Sequence, residues 1–424
     1  MIVLTIASDV FNNEEASITL RLLGGCAGWL AGLLLLQRVR KSQQFVISLL
    51  LLTGLALLLF VYTRTGEFHA YRLITVNAGL LTMIISVGFL KIIAAPGFAL
   101  AGKLPTGRAA FRDTLFTVAV FGSFINISAP VLVADRLSLN RPLTLFACSA
   151  LTRTFSGCSA WSPFFGGMAV VLTYVEGMRL LPVMTVAFPF AVAGLAYIYF
   201  VSVLFSSKDV EKFHGYPMQL SSLWIPAVLA VIVISLNFLL PHLSILVVIA
   251  LGSLLLTSGA LLWQTSLADT GGKLWYFVKH NLPESANELA LFLAAGVLAT
   301  GLAGLVDLGL IQLPISSFGA FNASLLLAAM IVVAMLGIHP VIQIAGLTPL
   351  LLVLDPNPQL LALTYMFSWS LGTSASPLSG THLVMQGRYG IPSWRGAMTN
   401  WPFVITLYMV GVVLLYVMAS WAGV

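Results

Sequence analysis

Charged residues are scarce in this sequence of 424 residues. Asp, Glu, Lys and Arg together make up 8% of the chain, whereas 59% is hydrophobic and the mean hydropathy is +1.01. Soluble globular domains contain about 25% charged residues, so the composition excludes an ordinary soluble domain. The apolar runs are each about 20 residues long, which is enough to cross roughly 30 Å of hydrocarbon. We therefore expect an all-α polytopic membrane protein.

Cysteine and nucleotide-binding motifs are also rare or absent. Cys26, Cys148 and Cys158 all fall in apolar segments, without the spacing of a metal site, so neither a disulfide nor a bound metal centre is expected. The absence of a Walker A motif excludes transport powered by ATP hydrolysis within this chain. The net charge of +6 comes from Lys and Arg in short loops, where they orient membrane helices. The expected macromolecular environment is the lipid bilayer rather than nucleic acid, and no cofactor is expected.

Acidic residues are missing from the middle of the apolar segments. Every Asp and Glu falls at or near the end of a predicted segment, which disfavours a proton antiporter that depends on a carboxylate at mid-membrane. Acidic residues precede the first apolar run and basic residues follow it, the reverse of a cleaved signal peptide. That run is therefore expected to remain as the first transmembrane helix, with the N-terminus outside.

Two halves of similar organisation are predicted, joined by a cytoplasmic linker. The predicted boundaries are 1–206 for the first repeat, 207–221 for the linker and 222–424 for the second repeat. The apolar segments of the first half are 18–36, 45–63, 73–95, 114–134, 142–175 and 182–206. Those of the second half are 222–240, 243–263, 287–306, 319–354, 359–386 and 397–420.

Segment 114–134 is predicted to be a re-entrant hairpin. The positive-inside rule places the basic residues on both of its flanks in the cytoplasm, so the segment should enter and leave on the same side. Turn-forming residues at 122–130 would form its tip. The flanking basic residues are Lys103, Arg108, Arg112, Arg136 and Arg141.

The following segment, 142–175, is too long for one straight helix and is predicted to be two half-helices joined by an unwound loop. Hairpin 319–354 and broken helix 359–386 repeat this order in the second half. Each half then makes five crossings, and the odd number inverts the second half relative to the first. We expect about ten transmembrane helices, two re-entrant hairpins and both termini outside, in a bacterial inner membrane.

Two short Ser-Pro segments carry the strongest internal similarity. At an offset of 214, Ser156, Ser162, Pro163 and Gly166 correspond to Ser370, Ser376, Pro377 and Gly380, and hydroxyls face each other at positions 159 and 373. Helix-breaking residues within apolar segments indicate unwound backbone, which membranes tolerate where it lines a cavity. Two such breaks at corresponding positions indicate a transporter binding site.

The chemistry of these segments suits a small anion. Half-helix N-termini carry partial positive charge, and unwound backbone and hydroxyls supply further ligands. The alternative is that the hydroxyls bond within their own helices or to neighbouring helices. The candidate substrate-binding residues are Ser123, Asn126, Ser128, Arg153, Ser156, Ser159, Ser162, Pro163, His339, Thr373, Ser374, Ser376, Pro377, Ser379, Thr381 and His382. A candidate Na⁺ site comprises Asn126, Ser159 and Ser374.

Three titratable residues lie at depth among these candidates. Arg153 precedes the first break by about one turn and either faces an anionic solute or is a structural strut that snorkels or bonds to backbone carbonyls. His339 lies at the predicted tip of the second hairpin, and His382 lies just after the second break. Each histidine is either a proton carrier or a hydrogen-bonded structural residue.

The order of hairpin, broken helix and following helix, repeated with inversion, resembles the ion transporter superfamily, which includes divalent anion/sodium symporters and arsenite permeases. The resemblance covers residues 73–206 and 287–420. It implies that tips 123–128 and 337–340 and loops 156–167 and 370–381 hold substrate and Na⁺, and it suggests a homodimer. Neither tip reads Ser-Asn-Thr, and each loop has one Ser-Pro where the symporters have Thr-Pro-Pro.

We therefore expect a secondary transporter, not an enzyme, that moves a small anionic organic solute by coupling to Na⁺ or H⁺. One alternative is a cation/proton antiporter of the same superfamily, which the shortage of buried acids disfavours. The other is a membrane-embedded glycan polymerase or ligase, which the absence of a sizeable extramembrane loop disfavours.

Overall fold

The computed structural model describes residues 1–10, 14–95, 104–217, 223–311 and 313–424, and these ranges contain helices and no β-strand. The predicted all-α class is confirmed. Within the described residues, seven helices are long and apolar enough to cross a membrane. The count of ten crossings and the re-entrant position of the hairpins stay predictions. Lys103 and the end of the predicted linker, 218–221, lie outside the described residues.

The helices of the first half begin with a short N-terminal helix that no apolar run predicted. Two helices joined by a short turn lie where the hairpin is predicted, and two shorter helices flank the first Ser-Pro break. In chain order they are α1 (Ile2–Val10), α2 (Glu14–Leu35), α3 (Lys41–Thr65), α4 (Ala70–Thr75), α5 (Ala78–Gly88), α6 (Leu90–Ala94), α7 (Arg108–Ile125), α8 (Ser128–Leu137), α9 (Leu145–Ser159), α10 (Gly166–Tyr174), α11 (Leu180–Phe205) and α12 (Ser207–Glu211).

The second half contains an extension before its third long helix. Before its third long helix, the chain passes through an additional helix, a π-helical turn (Phe277–Asn281) and a 3₁₀ turn (Leu282–Ser285). The helices are α13 (Trp224–Leu239), α14 (Ile245–Gln264), α15 (Leu267–Tyr276), α16 (Ala286–Asp307), α17 (Ala320–Met335), α18 (Pro340–Leu352), α19 (Pro358–Ala375), α20 (Gly380–Tyr389), α21 (Ser393–Thr399) and α22 (Trp401–Ala422).

The outer surface is apolar in the manner of a lipid-facing one. Large side chains such as Leu34, Phe205 and Phe238 are exposed on the long helices, whereas soluble proteins rarely leave large contiguous apolar surfaces open to water. Exposed Trp263 and Trp421 lie at the ends of α14 and α22, where tryptophan is enriched at membrane interfaces. The chain is therefore a multi-pass membrane protein.

Helices of the first half pack against helices of the second half. Helix α3 packs along α16 of the second half, and α14 packs along α5 of the first. Glycines allow the first of these contacts: a Cβ at Gly54 would lie 2.7 Å from the backbone nitrogen of Leu298, and a Cβ at Gly301 would lie 2.8 Å from the carbonyl oxygen of Gly54. Small residues at such interfaces let helix backbones approach closely, which drives helix association in lipid.

The broken segments lie in the interior. Helix α9 packs on α7 and α11, while α19 packs on α17 and α22, so that the same pattern of contacts occurs in both halves. Helices α9 and α19 also pack on each other, and both are almost entirely buried. The two Ser-Pro loops therefore lie near one another at the centre of the molecule.

Close backbone approach at Gly54 leads to a stability prediction. We expect Gly54→Leu to lower the free energy of unfolding by about 2 kcal/mol or more, because the new side chain would overpack the contact with α16. The matched control is Gly259→Leu on α14, where nothing lies within 4 Å of the added Cβ. Thermal unfolding of the detergent-solubilised protein measures both, and an equal effect of the two substitutions would contradict the packing argument.

Candidate functional site

A central cavity of about 220 Å³ lies where the broken helices meet the turns of the two predicted hairpins. Asn126 and Ser128 line it from the α7–α8 turn, and His339 lines it from the α17–α18 turn. Thr373 lines it from α19 and Thr381 from α20. The structure therefore brings five of the sequence-predicted site residues together around one space.

Two half-helices begin at this cavity. Helix α9 ends at Ser159 and α10 begins at Gly166, while α19 ends at Ala375 and α20 begins at Gly380. Both Gly166 and Gly380 line the cavity. The first turns of two helices, which carry unpaired N–H groups and partial positive charge, are therefore directed to the same space.

The polar side chains at the turns are held by local contacts. Asn126 adopts a positive φ of 52°, and its Nδ2 donates a hydrogen bond to the carbonyl of Phe164 at 3.4 Å, which links the α7–α8 turn to the first broken loop. His339 caps α18 by accepting a hydrogen bond from the backbone N–H of Val341 at Nδ1, and its ring lies edge-on to Trp369 with centroids 5.2 Å apart. The His339 ring is thus oriented by the fold, with Nδ1 as an acceptor.

The hydroxyl of Thr381 makes no hydrogen bond within the described residues, although the side chain is only 2% exposed. Thr373 also lines the cavity, but its Oγ1 donates to the carbonyl of Trp369 within the same helix at 2.7 Å. Because buried hydroxyls usually have a partner, the Thr381 hydroxyl has free bonding capacity for a solute. Ser128 and Ser285 also line the cavity without a side-chain hydrogen bond among the described residues.

Ser156 and Ser370 do not line the cavity, because they join the two broken segments. Ser156 Oγ donates to the Ser370 carbonyl at 2.6 Å, and Ser370 Oγ donates to the Ser156 carbonyl at 2.8 Å. Ser374 Oγ donates to Ser156 Oγ at 2.8 Å, and Ser159 Oγ donates to the Ser156 carbonyl at 2.7 Å. All four side chains are at most 1% exposed. Ser156, Ser370 and Ser374 bond helix to helix, whereas Ser159 bonds within α9. Both kinds of contact belong to the alternative interpretation of these hydroxyls.

This arrangement also separates the three residues of the candidate Na⁺ site. Asn126 lines the central cavity, whereas the Ser159 hydroxyl is used within α9 and the Ser374 hydroxyl at the α9–α19 crossing. A cation held by all three would require the crossing to open. The described geometry does not bring these residues together as one site.

The remaining serines and prolines of the Ser-Pro segments shape the loops. Ser162 Oγ donates to the Ser123 carbonyl and accepts from the N–H of Phe164, and Ser123 Oγ donates within its own helix. Ser376 Oγ accepts from the N–H of Leu378. Pro163 and Pro377 follow Ser162 and Ser376 directly and provide no N–H to continue a helix.

Arg153 and His382 belong to a buried polar network beside the cavity. Arg153 Nε donates to Asn400 Oδ1 at 2.8 Å, and its guanidinium also donates to the carbonyl of Thr399 at the end of α21. Asn400 Nδ2 lies 3.2 Å from His382 Nε2 and donates to the Ser374 carbonyl at the same distance. Arg153 therefore satisfies a helix terminus, as the strut interpretation predicts, and it does not line the central cavity.

His382 is fully engaged in the same network. Its Nδ1 lies 2.9 Å from the Ser376 carbonyl and 2.9 Å from the hydroxyl of Ser379, the cap of α20. Because a carbonyl only accepts, Nδ1 carries the hydrogen, and Nε2 accepts from Asn400 in the neutral ring. Both ring nitrogens have partners, so His382 is a hydrogen-bonded structural residue.

Glu288 was not among the sequence-predicted site residues, although it lines the cavity. Asn281, Glu284 and Glu288 are spaced three and four residues apart and line the cavity together. Glu284 pairs with Lys91 at 3.4 Å, whereas Glu288 has no ion pair or hydrogen bond within the described residues. Its position near a segment end in sequence was misleading, because the helical path begins at Leu267 and continues to Asp307. The spacing of the polar residues 281, 284 and 288 could have indicated from the sequence that Glu288 belongs to the site.

A basic vestibule of about 930 Å³ adjoins the cavity. It is lined by Arg38, Arg40, Arg388, Asp135 and His280, among others. The vestibule and the cavity share four lining residues, which are Lys91, Ile127, Ser128 and Glu284. The central cavity therefore opens towards this vestibule.

A distal pocket of about 580 Å³, lined in part by Tyr174 and Thr300, shares no lining residue with the cavity. Asn77, which is 3% exposed, lies between them: its Nδ2 donates to the Phe292 carbonyl at 2.7 Å, and its Oδ1 accepts from the Tyr174 hydroxyl at 3.3 Å. A Cβ at Gly296 would lie 2.2 Å from Asn77 Nδ2. This contact closes the cavity on the side of the distal pocket.

Fold and cavity together define an all-helical, multi-pass membrane protein with an internal polar site. No family model matches the chain, and no curated protein matches it. Among solved structures, the chain is similar to the YdaH transporter of Alcanivorax borkumensis, which is described as having an unusual topology. The TM-score is 0.46 and the sequence identity 13%, over 86% of this chain and 88% of that one.

The Arg153 network predicts a structural rather than a binding role. We expect both Arg153→Ala and Arg153→Lys to lower the free energy of unfolding by about 1–3 kcal/mol, because each leaves acceptors at Thr399 and Asn400 unsatisfied. Thermal unfolding of the purified protein measures the change. Arg179→Ala, at an exposed arginine without a partner among the described residues, is the control and should have little effect. Full stability of Arg153→Lys would show that only charge is needed there.

Proposed function

We propose that this protein is a secondary transporter that moves a small anionic organic solute through the central cavity with H⁺ or Na⁺ as the coupling ion. The proposal is supported mainly by the convergence of two half-helix N-termini on one cavity. This cavity is open on one side and closed on the other. Discontinuous helices with N-termini directed at a central site are the usual means by which secondary transporters hold anionic groups.

The ligands for the anion would come from the half-helices. The first-turn N–H groups of α10 and α20, at Gly166 and Gly380, would donate to the solute together with the Thr381 hydroxyl. Phe155, Phe165 and Trp369 also line the cavity and offer apolar surface to an organic body. A cavity of about 220 Å³ suits a small solute rather than a polymer.

The basic vestibule supports the choice of an anion. Arg38 and Arg40 line it, and Arg388 there is paired with Asp135 at 3.2 Å. Clustered positive side chains raise the local concentration of anions. By the positive-inside rule this vestibule would face the cytoplasm, and the cavity would then be open to the inside.

Pseudo-symmetry suggests how the opposite state would arise. Ser156 and Ser370, which correspond at an offset of 214, bond to each other reciprocally. In a two-fold symmetric contact, equivalent residues near the axis contact each other in this way. An inverted repeat about such an axis would alternate access by exchanging the conformations of its halves, with the contact at Asn77 opening and the vestibule closing.

A second candidate is the cation/proton antiporter considered above, and Glu288 is the observation that favours it. An unpaired carboxylate in the cavity could bind a cation in exchange for protons. The two functions differ in what accumulates: labelled anions in the first case, and Na⁺ or another monovalent cation, with no anion uptake, in the second.

Uptake into proteoliposomes tests the proposed function. A panel of labelled carboxylates, sulfonates and inorganic anions would be offered with and without imposed Na⁺ and pH gradients, and we expect gradient-dependent accumulation of at least one anion. Accumulation of cations alone would favour the antiporter. No uptake of either kind would contradict a transport function.

The Thr381 hydroxyl provides the matched substitution. We expect Thr381→Val to weaken the apparent affinity for the transported anion roughly 10- to 100-fold, because a hydrogen bond to a charged group contributes about 1.5–3 kcal/mol. Thr406→Val is the control, since Thr406 is exposed on α22 and its hydroxyl bonds to the Pro402 carbonyl. Initial uptake rates over a range of solute concentrations measure both. Equal apparent affinities in the two variants would show that the Thr381 hydroxyl does not bind the anion.

A further inference from the structure

We infer that Glu288 is the proton-binding group of the central cavity and that its protonation is coupled to anion binding; the coupling rests on the proposed function. The sequence patterns assign this residue no role. The inference depends on the position of the side chain, on the lack of a compensating charge and on its relation to the half-helix N-termini.

Glu288 lies in the first turn of α16, and its side chain retains access to solvent through the central cavity. One turn further along the same helix, Leu291 and Phe292 line the cavity, and Phe165 lines it from the first Ser-Pro loop. The side chain is exposed to the cavity, so water is its only partner there, and the apolar side chains beside it limit that hydration. An unpaired carboxylate hydrated in this way is more costly than the neutral acid. The cavity thus favours a bound proton at Glu288.

The other titratable groups lining the cavity do not compensate Glu288. Lys91 on α6 pairs with Glu284 at 3.4 Å, so their charges offset each other. His339, which precedes α18, uses Nδ1 as an acceptor from the Val341 N–H. Among the described lining residues, those of α5, α7, α8, α9, α10, α19 and α20 carry no ionisable side chain. One negative charge therefore remains in the cavity when Glu288 is ionised.

That charge would oppose the binding of an anion in the same cavity. Gly166 and Gly380, at the half-helix N-termini, line the same space as Glu288, so that an ionised carboxylate and a bound anion would repel each other. Protonation removes the repulsion, and by linkage the anion raises the affinity for the proton by the same factor. A monovalent anion and one proton would then move together without net charge.

A proton suits this position better than Na⁺. Hard cations take several oxygen ligands at once, and Glu288 has no bonded oxygen neighbour within the described residues. The Ser159 hydroxyl is engaged within α9, and the Ser374 hydroxyl is engaged at the α9–α19 crossing. Protons would reach Glu288 from the basic vestibule, because Glu284 and Lys91 line both spaces.

Infrared difference spectroscopy tests proton binding without the solute. We expect the purified protein near neutral pH to show the carbonyl stretch of a protonated carboxylic acid and to lose it in Glu288→Gln. Glu67→Gln, at an exposed glutamate outside the cavity, should keep the band, and Glu288→Asp should keep it at a shifted frequency. Thermal unfolding verifies that each variant is folded. A band that persists in Glu288→Gln, or that is missing from the unsubstituted protein, would overturn the inference.

Transport by the same variants tests coupling. With the anion selected from the uptake panel, we expect a pH gradient to drive accumulation by the unsubstituted protein and by Glu67→Gln. Glu288→Gln should lose that accumulation but retain exchange of internal for external anion. Accumulation driven by a pH gradient in Glu288→Gln, or by a Na⁺ gradient alone in the unsubstituted protein, would overturn the proton assignment. Absence of any anion transport by the unsubstituted protein would contradict the proposed function and the coupling, and the infrared band would still decide whether Glu288 holds a proton.

Discussion

The reciprocal hydrogen bonds between Ser156 and Ser370 fix the relation between the two broken segments. Each hydroxyl donates to the carbonyl of the other residue, and Ser374 adds a third bond across the crossing, to Ser156. Each bond contributes only about 0.5–1.5 kcal/mol net, yet leaving a buried partner unsatisfied costs about 1–3 kcal/mol. The crossing therefore resists separation, and both Ser-Pro loops remain close together so that α10 and α20 can begin at one cavity.

Around this crossing the two halves differ in chemistry. Arg153 corresponds to Phe367 at the offset of 214. Arg153 bonds to Asn400 and thereby joins the His382 network, whereas Phe367 stacks on Phe190 with ring centroids 4.3 Å apart. One side of the crossing is thus held by a polar network and the other by an aromatic contact. The asymmetry lies beside the cavity. The guanidinium of Arg153 bonds to the polar network of the second Ser-Pro region and does not face the proposed solute.

Much of the architecture could be predicted because apolar runs and helix breakers act locally. Helix α9 ends within the first Ser-Pro segment and α20 begins within the second, as expected of proline and glycine in apolar helices. The partners of the polar side chains could not be predicted in this way. Arg153 and Asn400 are 247 residues apart, and no local pattern shows which hydroxyls face a cavity and which face another helix.

The depth of Glu288 in the protein was difficult to predict for a different reason. Its distance from the end of an apolar run gave no measure of its depth, because α15 and the π-helical and 3₁₀ turns lengthen the helical path before it. The periodic spacing of Asn281, Glu284 and Glu288 is better evidence, since residues three and four apart share a helix face. Carboxylates in membrane segments are therefore better judged by the helix face they share than by their distance from a hydropathy boundary.

The central claim is that the cavity is a solute site reached from the two sides of the membrane in turn. Thr373→Cys, in protein whose Cys26, Cys148 and Cys158 are replaced, places one thiol in that cavity at a residue whose hydroxyl bonds within its own helix. We expect membrane-impermeant thiol reagents to label this thiol from the side of the basic vestibule and, under transport conditions, also from the opposite side. The transported anion should slow both labelling reactions. Labelling from one side only under all conditions, unaffected by the anion, would contradict it.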